Sequence, residues 1–387
     1  MSRKTLTAEV NPSVIRWARE TAGLDTTMVA RRLNVRPCTV EDWESGSSHP
    51  TFQRLEALAT LYRRPLAAFF LPSAPTEPPW PHDFRVLPRR KGGALSRESR
   101  LAIREARRIQ ELASELAADL GREVRPRVAV TAPSADPESA ANREREQLGV
   151  DAQEQFGWKD AHSALRNWRR VIESRQILTL QFRMPMEEMR GFCLPAGGLP
   201  AIVINSRDVI NGRIFTLIHE YAHVLLGSSA MCIPESGEDS PGDGGLTERF
   251  CNAFAGAFLV PRDSLLREVH ARPVADSLPL GELLDHLSAR FKVSKHVLIR
   301  RLRDLGVVSR TESERKIREL ESQQPGAQAR ARRGPSPAMR CVQERGSYFP
   351  GLVFQAQARD LITYSDVADY LSIRLRHLDR VQSLLGG

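Results

Sequence analysis

The sequence lacks the features that mark membrane-spanning and secreted proteins. None of its apolar runs approaches the roughly 18 residues that a membrane-spanning helix needs. Its first residues, MSRKTLTAEVNPS, contain no apolar core of a secretory signal peptide. Five scattered cysteines without a CxxC pair exclude a disulfide scaffold and a cysteine zinc cluster. We therefore expect a cytoplasmic protein that does not contact a membrane.

The composition is that of an ordinary globular protein. The chain has 387 residues, of which 41% are hydrophobic and 27% charged, enough for two or three domains with packed cores. The formal net charge is +9, and the excess is spread along the chain. Such a charge permits contact with nucleic acid but does not establish it.

A helical segment in the middle of the chain carries two paired histidines. Residues 213–227 read RIFTLIHEYAHVLLG, an apolar helical pattern that Gly227 ends. His219 and His223 are four residues apart, so both imidazoles lie on one face and can bind the same metal ion. Glu220 follows the first histidine and can reach a water on that ion. The alternative is a pair of histidines that are satisfied in the core or lie on a solvated face.

A third ligand is expected from the next helical segment. Residues 247–261 read TERFCNAFAGAFLVP, with Thr247 as the predicted cap and Glu248 in the first turn. Glu248 is the predicted ligand, although the helix dipole alone favours an acid in a first turn. Asn252 shares its face and would orient the carboxylate or contact a substrate. We expect the acids of the intervening loop to be solvated charges, although any of them could replace Glu248 as a ligand: Glu235, Glu238, Asp239 and Asp243.

Two short apolar segments before the paired histidines predict a hairpin. Residues 191–194 and 201–205 have strand character, and a loop rich in Pro and Gly separates them. We expect the strand at 201–205 to offer an edge to which an extended peptide substrate adds, with Asn205 in contact with it. The alternative is a sheet that only completes the core.

These segments together resemble the ImmA/IrrE family of bacterial metallopeptidases. The resemblance covers roughly residues 80–310 and is carried by Trp168 to Ile172, AIVIN at 201–205, the HE-x-x-H helix and E-x-x-x-N-x-FA-x-x-FLVP. It implies a zincin-like domain in which His219, His223 and Glu248 hold Zn²⁺ and Glu220 is the catalytic acid/base. Mn²⁺ is an alternative, because two imidazoles and a carboxylate do not fix the metal. Family members typically cleave a repressor protein and so release stress-response or mobile-element genes.

The N-terminal residues resemble a helix-turn-helix of the phage-repressor (XRE) type. Met28, Ala30 and Leu33 are expected to face inward, and a second helix follows near residues 37–44. Arg31, Arg32, Arg36 and Thr39 are the predicted DNA contacts. The second helix also presents two acids, which would repel phosphates. The competing interpretation is therefore a module for protein docking or homodimerisation.

The predicted fold is mainly α with a small β-sheet, an α+β arrangement with a five-helix repressor-like domain and a minimal metallopeptidase domain. The predicted divisions are 1–72 (helix-turn-helix), 73–130 (linker and long helix), 131–265 (peptidase), 266–310 (a second helix-turn-helix-like segment), 311–346 (charged helix and flexible Arg-rich linker) and 347–387 (C-terminal helical element). The expected function is a zinc endopeptidase coupled to a DNA-binding module. The alternative is a transcriptional regulator, or an antitoxin-like partner, whose peptidase site is secondary.

Overall fold

The structure, a computed structural model, describes residues 7–76, 95–126, 128, 131–195, 197–227, 231–232, 243–271, 279–322 and 334–386. These residues divide into two compact units, and the boundary lies between Arg104 and Glu105. The first unit comprises the described residues up to 76 together with 95–104, and the second comprises those from 105 onward. Most of the predicted Arg-rich linker lies outside the described residues.

The first unit is built from short helices, as the N-terminal pattern predicts. Its elements are α1 (Pro12–Thr21), α2 (Thr26–Leu33), α3 (Pro37–Ser45), α4 (Phe52–Tyr62), a 3-10 helix (Leu66–Phe70) and the start of α5 (Arg97–Asp119). The fifth predicted helix of the helix-turn-helix domain is thus the 3-10 turn. Asp25 caps α2 by accepting a hydrogen bond from the Met28 amide at 2.6 Å.

One inward-facing residue of the first unit was predicted wrongly. Met28 is 41% exposed, whereas Val29, Ala30 and Leu33 are buried in the unit's core. Because α2 begins at Thr26, position 29 rather than 28 shares a face with position 33.

Between α1 and α3, Glu44 is buried and accepts hydrogen bonds from Arg19 Nε at 2.6 Å and Nη2 at 2.9 Å.

The second unit surrounds a small mixed sheet with helices. Its strands are β1 (Leu178–Phe182), β2 (Gly191–Leu194), β3 (Ala201–Asn205) and β4 (Met231–Cys232). Beyond α5, its helices are α6 (Pro137–Leu148), α7 (Ala152–Gly157), α8 (Ala161–Glu173), α9 (Ile210–Leu226), α10 (Asp243–Leu259), α11 (Arg262–His270), α12 (Leu280–Phe291), α13 (Lys295–Asp304), α14 (Arg310–Ser322), α15 (Pro337–Arg345), α16 (Tyr348–Ala358), α17 (Tyr364–Leu371), a 3-10 helix (Leu375–His377) and α18 (Leu378–Leu385). The predicted fold class, mainly α with a small sheet, is confirmed.

The order of the strands corrects the predicted role of the hairpin. The order is β1-β3-β2-β4, with β1 parallel to β3 and β2 antiparallel to it. The hairpin bounds were predicted correctly, but β3 is an interior strand with neighbours on both sides. An extended peptide therefore cannot add at 201–205, because the backbone groups there already pair within the sheet.

Three buried side chains satisfy the carbonyls at the end of α10. Arg145 Nη1 donates to the Phe258 carbonyl at 2.8 Å, Gln155 Nε2 to that of Leu259 at 2.9 Å, and Arg301 Nε to that of Val260 at 3.0 Å. Such carbonyls have no partner within their own helix. Burial lowers the pKa of Arg145 to about 10, so the guanidinium remains charged at neutral pH. These bonds fix the position of α10 against α6, α7 and α13.

Removing Gln155 is expected to destabilise the second unit. Its amide also donates to the Phe291 carbonyl at 2.8 Å, so Gln155→Leu leaves two buried carbonyls without this donor. We expect a loss of about 2–4 kcal/mol in the free energy of unfolding, measured by urea denaturation. Gln153→Leu is the control, since Gln153 lies exposed on the same short helix. Equal stability of the two variants would contradict the assignment.

The C-terminal helices are attached to the core around the sheet through two buried charges. Arg169 of α8 donates to the carbonyls of Gln343 at 2.8 Å and of Thr179 at 2.6 Å. Glu173 accepts from the amides of Ser347 and Tyr348 at 3.0 and 3.2 Å, at the start of α16. The C-terminal element therefore belongs to the same compact unit as the sheet.

The predicted linker ends earlier than expected. Helix α15 begins at Pro337, inside the division 311–346 that was predicted to end in a flexible linker. Ser336 caps the helix, accepting from the Met339 amide at 3.3 Å, and a proline is favourable in the first helical turn.

Among the described helices, none is long and apolar enough to cross a membrane.

Candidate metal centre

The paired histidines lie on the buried middle of α9. This helix packs against α10, β2 and β3, and the exposed fractions of His219 and His223 are 1% and 0%. Their Nε2 atoms are 3.2 Å apart. On the same helix, the Tyr221 hydroxyl donates to Glu144 of α6 at 2.7 Å. The imidazoles are therefore held on a helix that tertiary contacts fix in place.

Glu248 brings its carboxylate to both histidines. Its Oε2 lies 3.3 Å from His219 Nε2 and its Oε1 lies 3.2 Å from His223 Nε2. Helix α10 begins at Asp243, one turn earlier than predicted, so Thr247 is not its cap and Glu248 is not in its first turn. The helix dipole, which acts mainly within the first turn, therefore does not account for an acid at this position.

The spacing of the donor atoms fits a single tetrahedral ion. Ligand atoms about 2.0–2.1 Å from zinc in a tetrahedron are about 3.3 Å from one another. The two Nε2 atoms are 3.2 Å apart, and each of them lies 3.2–3.3 Å from one oxygen of the Glu248 carboxylate. Among the described residues, His219, His223 and Glu248 are the group whose ligand atoms converge within 4.8 Å. The donor set therefore suits a borderline cation such as Zn²⁺.

The carboxyl of Glu248 is held in its ionised form. Burial opposes ionisation, but the hydrogen bonds and charges of His219 and His223 outweigh it and keep the pKa of Glu248 well below its usual range. At 24%, its side chain is more exposed than either imidazole. The anionic donor therefore lies on the side of the cluster that solvent reaches.

Glu220 belongs to α9, and its side chain lies against strand β2. Its side chain is 0% exposed, and a Cβ added at Gly191 would lie 3.4 Å from its Oε1. The same Cβ would lie 2.5 Å from the Thr216 methyl and 2.8 Å from the Val203 carbonyl oxygen. Glycine at position 191 therefore permits the close approach of β2 to α9 that surrounds Glu220. The sequence indicated Gly191 as part of a strand and of the family-like pattern, but not this close contact.

Substituting Gly191 is expected to disturb this packing. Gly191→Ala forces β2 and α9 apart, because the clash involves strand backbone as well as a buried side chain; we expect a loss of about 1–3 kcal/mol in stability. Gly256→Ala in α10 is the control, since a Cβ there meets nothing within 4 Å. Thermal unfolding should show Gly191→Ala destabilised and Gly256→Ala unchanged or more stable. A Gly191→Ala protein as stable as the parent would show that the contact is not close.

The two predicted substrate contacts differ in their surroundings. Asn205 is completely buried, and its Nδ2 donates to the carbonyls of Met184 and Met189 at 3.0 and 2.9 Å. Its Oδ1 accepts from the amides of Met184 and Arg207 at 3.2 and 3.0 Å, so the amide secures the loop between β1 and β2 rather than facing a substrate. Asn252 is half-buried, one turn beyond Glu248 on α10, where a substrate contact stays a prediction.

The predicted DNA contacts lie on the surface of the first unit. Arg31 and Arg32 lie in the last turn of α2, Arg36 precedes α3, and all three are exposed, whereas Thr39 is half-buried. Helix α3 contains no Lys or Arg, and its Glu41 and Asp42 are exposed. The loop acids Glu235, Glu238 and Asp239, and the side chain of Asp243, lie outside the described residues.

Comparison with known families finds two matches. Residues 172–303 match the family described as the IrrE N-terminal-like domain, a peptidase family. Residues 13–69 match a helix-turn-helix domain. Both resemblances predicted from the sequence are confirmed, and the chain joins a peptidase-family domain to a helix-turn-helix. None of the curated proteins that were compared matches the chain.

Proposed function

We propose that the protein is a zinc-dependent endopeptidase of the HExxH type, with His219, His223 and Glu248 as metal ligands. The observation that carries the proposal is the convergence of two imidazole nitrogens and a carboxylate at 3.2–3.3 Å. Catalytic zinc sites commonly combine three protein ligands with one open position. Mn²⁺ remains the alternative metal, since this donor set also accepts it.

The metal and the residues around it have separate roles in peptide hydrolysis. When bound, the metal supplies a Lewis acid that polarises the scissile carbonyl and makes the attacking water more acidic. Glu220 acts as the general base that takes the proton of the water and then passes it to the leaving amine. Its position beside His219, enclosed by β2 and α9, excludes bulk water from the carboxylate. Asn252 is assigned to positioning of the substrate or of Glu248.

We further propose that the substrate is a cytoplasmic repressor protein and that cleavage releases stress-response or mobile-element genes. The match to the peptidase family supports a protein substrate, and the helix-turn-helix suggests an association with gene control. We assign to the first unit the binding of DNA or of a second copy of the chain. Within the second unit, we assign catalysis to the predicted division 131–265.

The proposal is tested by finding the cleaved protein. New protein N-termini should be compared by mass spectrometry in cells that express the intact chain and in cells that express Glu220→Gln. We expect one repressor to be cut only with the intact chain. Identical N-termini in both cultures, under conditions that induce the regulated genes, would contradict the endopeptidase assignment.

The second candidate function is a DNA-binding regulator whose peptidase site is secondary. The exposed Arg31, Arg32 and Arg36 favour it, because they form a basic edge beside α3. Under this alternative, Arg36→Ala abolishes regulation while Glu220→Gln retains it. Reporter expression from the regulated promoter in the two variants decides between the two functions.

A further inference from the structure

A recess in the C-terminal element is surrounded by guanidinium groups. It has a volume of about 270 Å³ and lies between α15 and the turn that joins α17 to the 3-10 helix. Four arginines line it: Arg340 and Arg345 of α15, and Arg374 and Arg376 of the turn. None of these residues belongs to the metal centre or to the helix-turn-helix.

The acids of the recess do not balance its positive charge. Glu344 is the one carboxylate among the described lining residues, and it lies 3.4 Å from Arg345. Arg345 is 6% exposed and pairs also with Glu105 at 3.2 Å. No ion pair with a described acid is found for Arg340, Arg374 or Arg376. The recess therefore carries an excess of positive charge that an anion would neutralise.

The buried arginine gives the recess a fixed framework. Arg345 Nη2 donates to the Ser372 hydroxyl at 3.0 Å, which joins the end of α15 to the turn after α17. Ser372 ends α17 with φ of 52°, and this conformation turns the chain toward Arg374 and Arg376. Arg374 and Arg376 thus extend from a turn that a half-buried hydrogen bond holds against α15.

The chemistry of the lining selects a class of ligand. Guanidinium groups bind phosphate by paired, charge-assisted hydrogen bonds. Beside the arginines, the recess is lined by the exposed Pro337 and the half-buried Ile373, and by Leu371 and Cys341, which are both buried. An apolar lining suits an organic group rather than a free inorganic ion. A recess bounded by one helix and one turn also differs from the extended basic surface that follows a nucleic-acid backbone.

We propose that this recess binds a small phosphorylated molecule, with its phosphate on Arg340, Arg374 and Arg376 and its organic group against Pro337 and Ile373. The proposal is independent of the metal centre and of the endopeptidase assignment. It gives the C-terminal element a ligand-binding role beside the peptidase domain.

The test is calorimetric titration of the full chain with phenyl phosphate and with inorganic phosphate, at constant ionic strength. We expect saturable binding with one site per chain, and tighter binding of phenyl phosphate because only it carries an apolar group. Arg340→Ala and Arg374→Ala should each weaken phenyl phosphate at least tenfold. Both side chains are exposed, so these changes leave the fold intact, which circular dichroism checks.

The matched control is Arg380→Ala, an exposed arginine of α18 outside the recess, which should bind phenyl phosphate as the intact chain does. An equal loss in Arg380→Ala would overturn the proposal, because it would show attraction by net charge alone. Absence of saturable binding would also overturn it. So would an oligonucleotide that binds at this element and is not displaced by phenyl phosphate, since the site would then be a nucleic-acid surface.

Discussion

Glu220→Gln is expected to abolish peptide cleavage while leaving the metal bound. Glutamine keeps the size and the position of the side chain but cannot accept the proton of the attacking water. General acid/base groups contribute about 10² to 10⁴-fold to such reactions, so kcat should fall by that factor. The metal content should stay unchanged, because Glu220 is not among the converging ligand atoms. Cleavage of the identified substrate and elemental analysis, on the same preparation, measure both effects.

The control for this variant is Glu146→Gln, which removes an exposed carboxylate from α6. It should retain full activity. If Glu220→Gln loses its metal together with its activity, Glu220 acts as a ligand or supports the ligands, and the general-base role is wrong. If it keeps normal kcat and normal metal content, another group takes the proton.

Glu248→Ala is expected to cause the second large effect, a loss of metal affinity. It removes the carboxylate that lies 3.2–3.3 Å from both imidazoles and leaves two protein ligands. Even changes to groups that only support a ligand lower metal affinity by about 10–100-fold, so removal of a ligand should cost at least about 100-fold. Competition with a zinc-binding dye measures the affinity.

The pH dependence and the loop acids provide the controls for this second prediction. Zinc binds deprotonated ligand groups, so affinity in the intact chain should fall as the pH is lowered. Glu235→Ala and Glu238→Ala should retain affinity. If one of them loses zinc while Glu248→Ala does not, the third ligand comes from the loop.

The local features of the site were predictable because they depend on short-range patterns. The period of apolar residues and Gly227 fixed the end of α9, which continues to Leu226. The hairpin strands were also predicted at their observed bounds, since turn residues flank each apolar run. The pairing of His219 with His223 follows from helical geometry alone.

The remaining features depend on contacts between distant segments. Strand β1 was not predicted, and it pairs in parallel with β3, which is more than twenty residues away. This neighbour makes β3 an interior strand and changes the role expected for the hairpin. Asn205 was expected to meet a substrate because it belongs to the strand that was expected to align the substrate. Its amide instead donates to the carbonyls of Met184 and Met189 in the loop between β1 and β2. No sequence pattern predicts that this loop packs against Asn205.

Elemental analysis of the purified chain tests most directly whether two histidines and one glutamate share an ion. We predict one zinc or manganese per intact chain and per His162→Ala control, whose histidine is exposed, and almost none in His219→Ala. A chain that carries no stoichiometric metal after zinc loading, or a His219→Ala variant that carries as much as the control, would contradict the account.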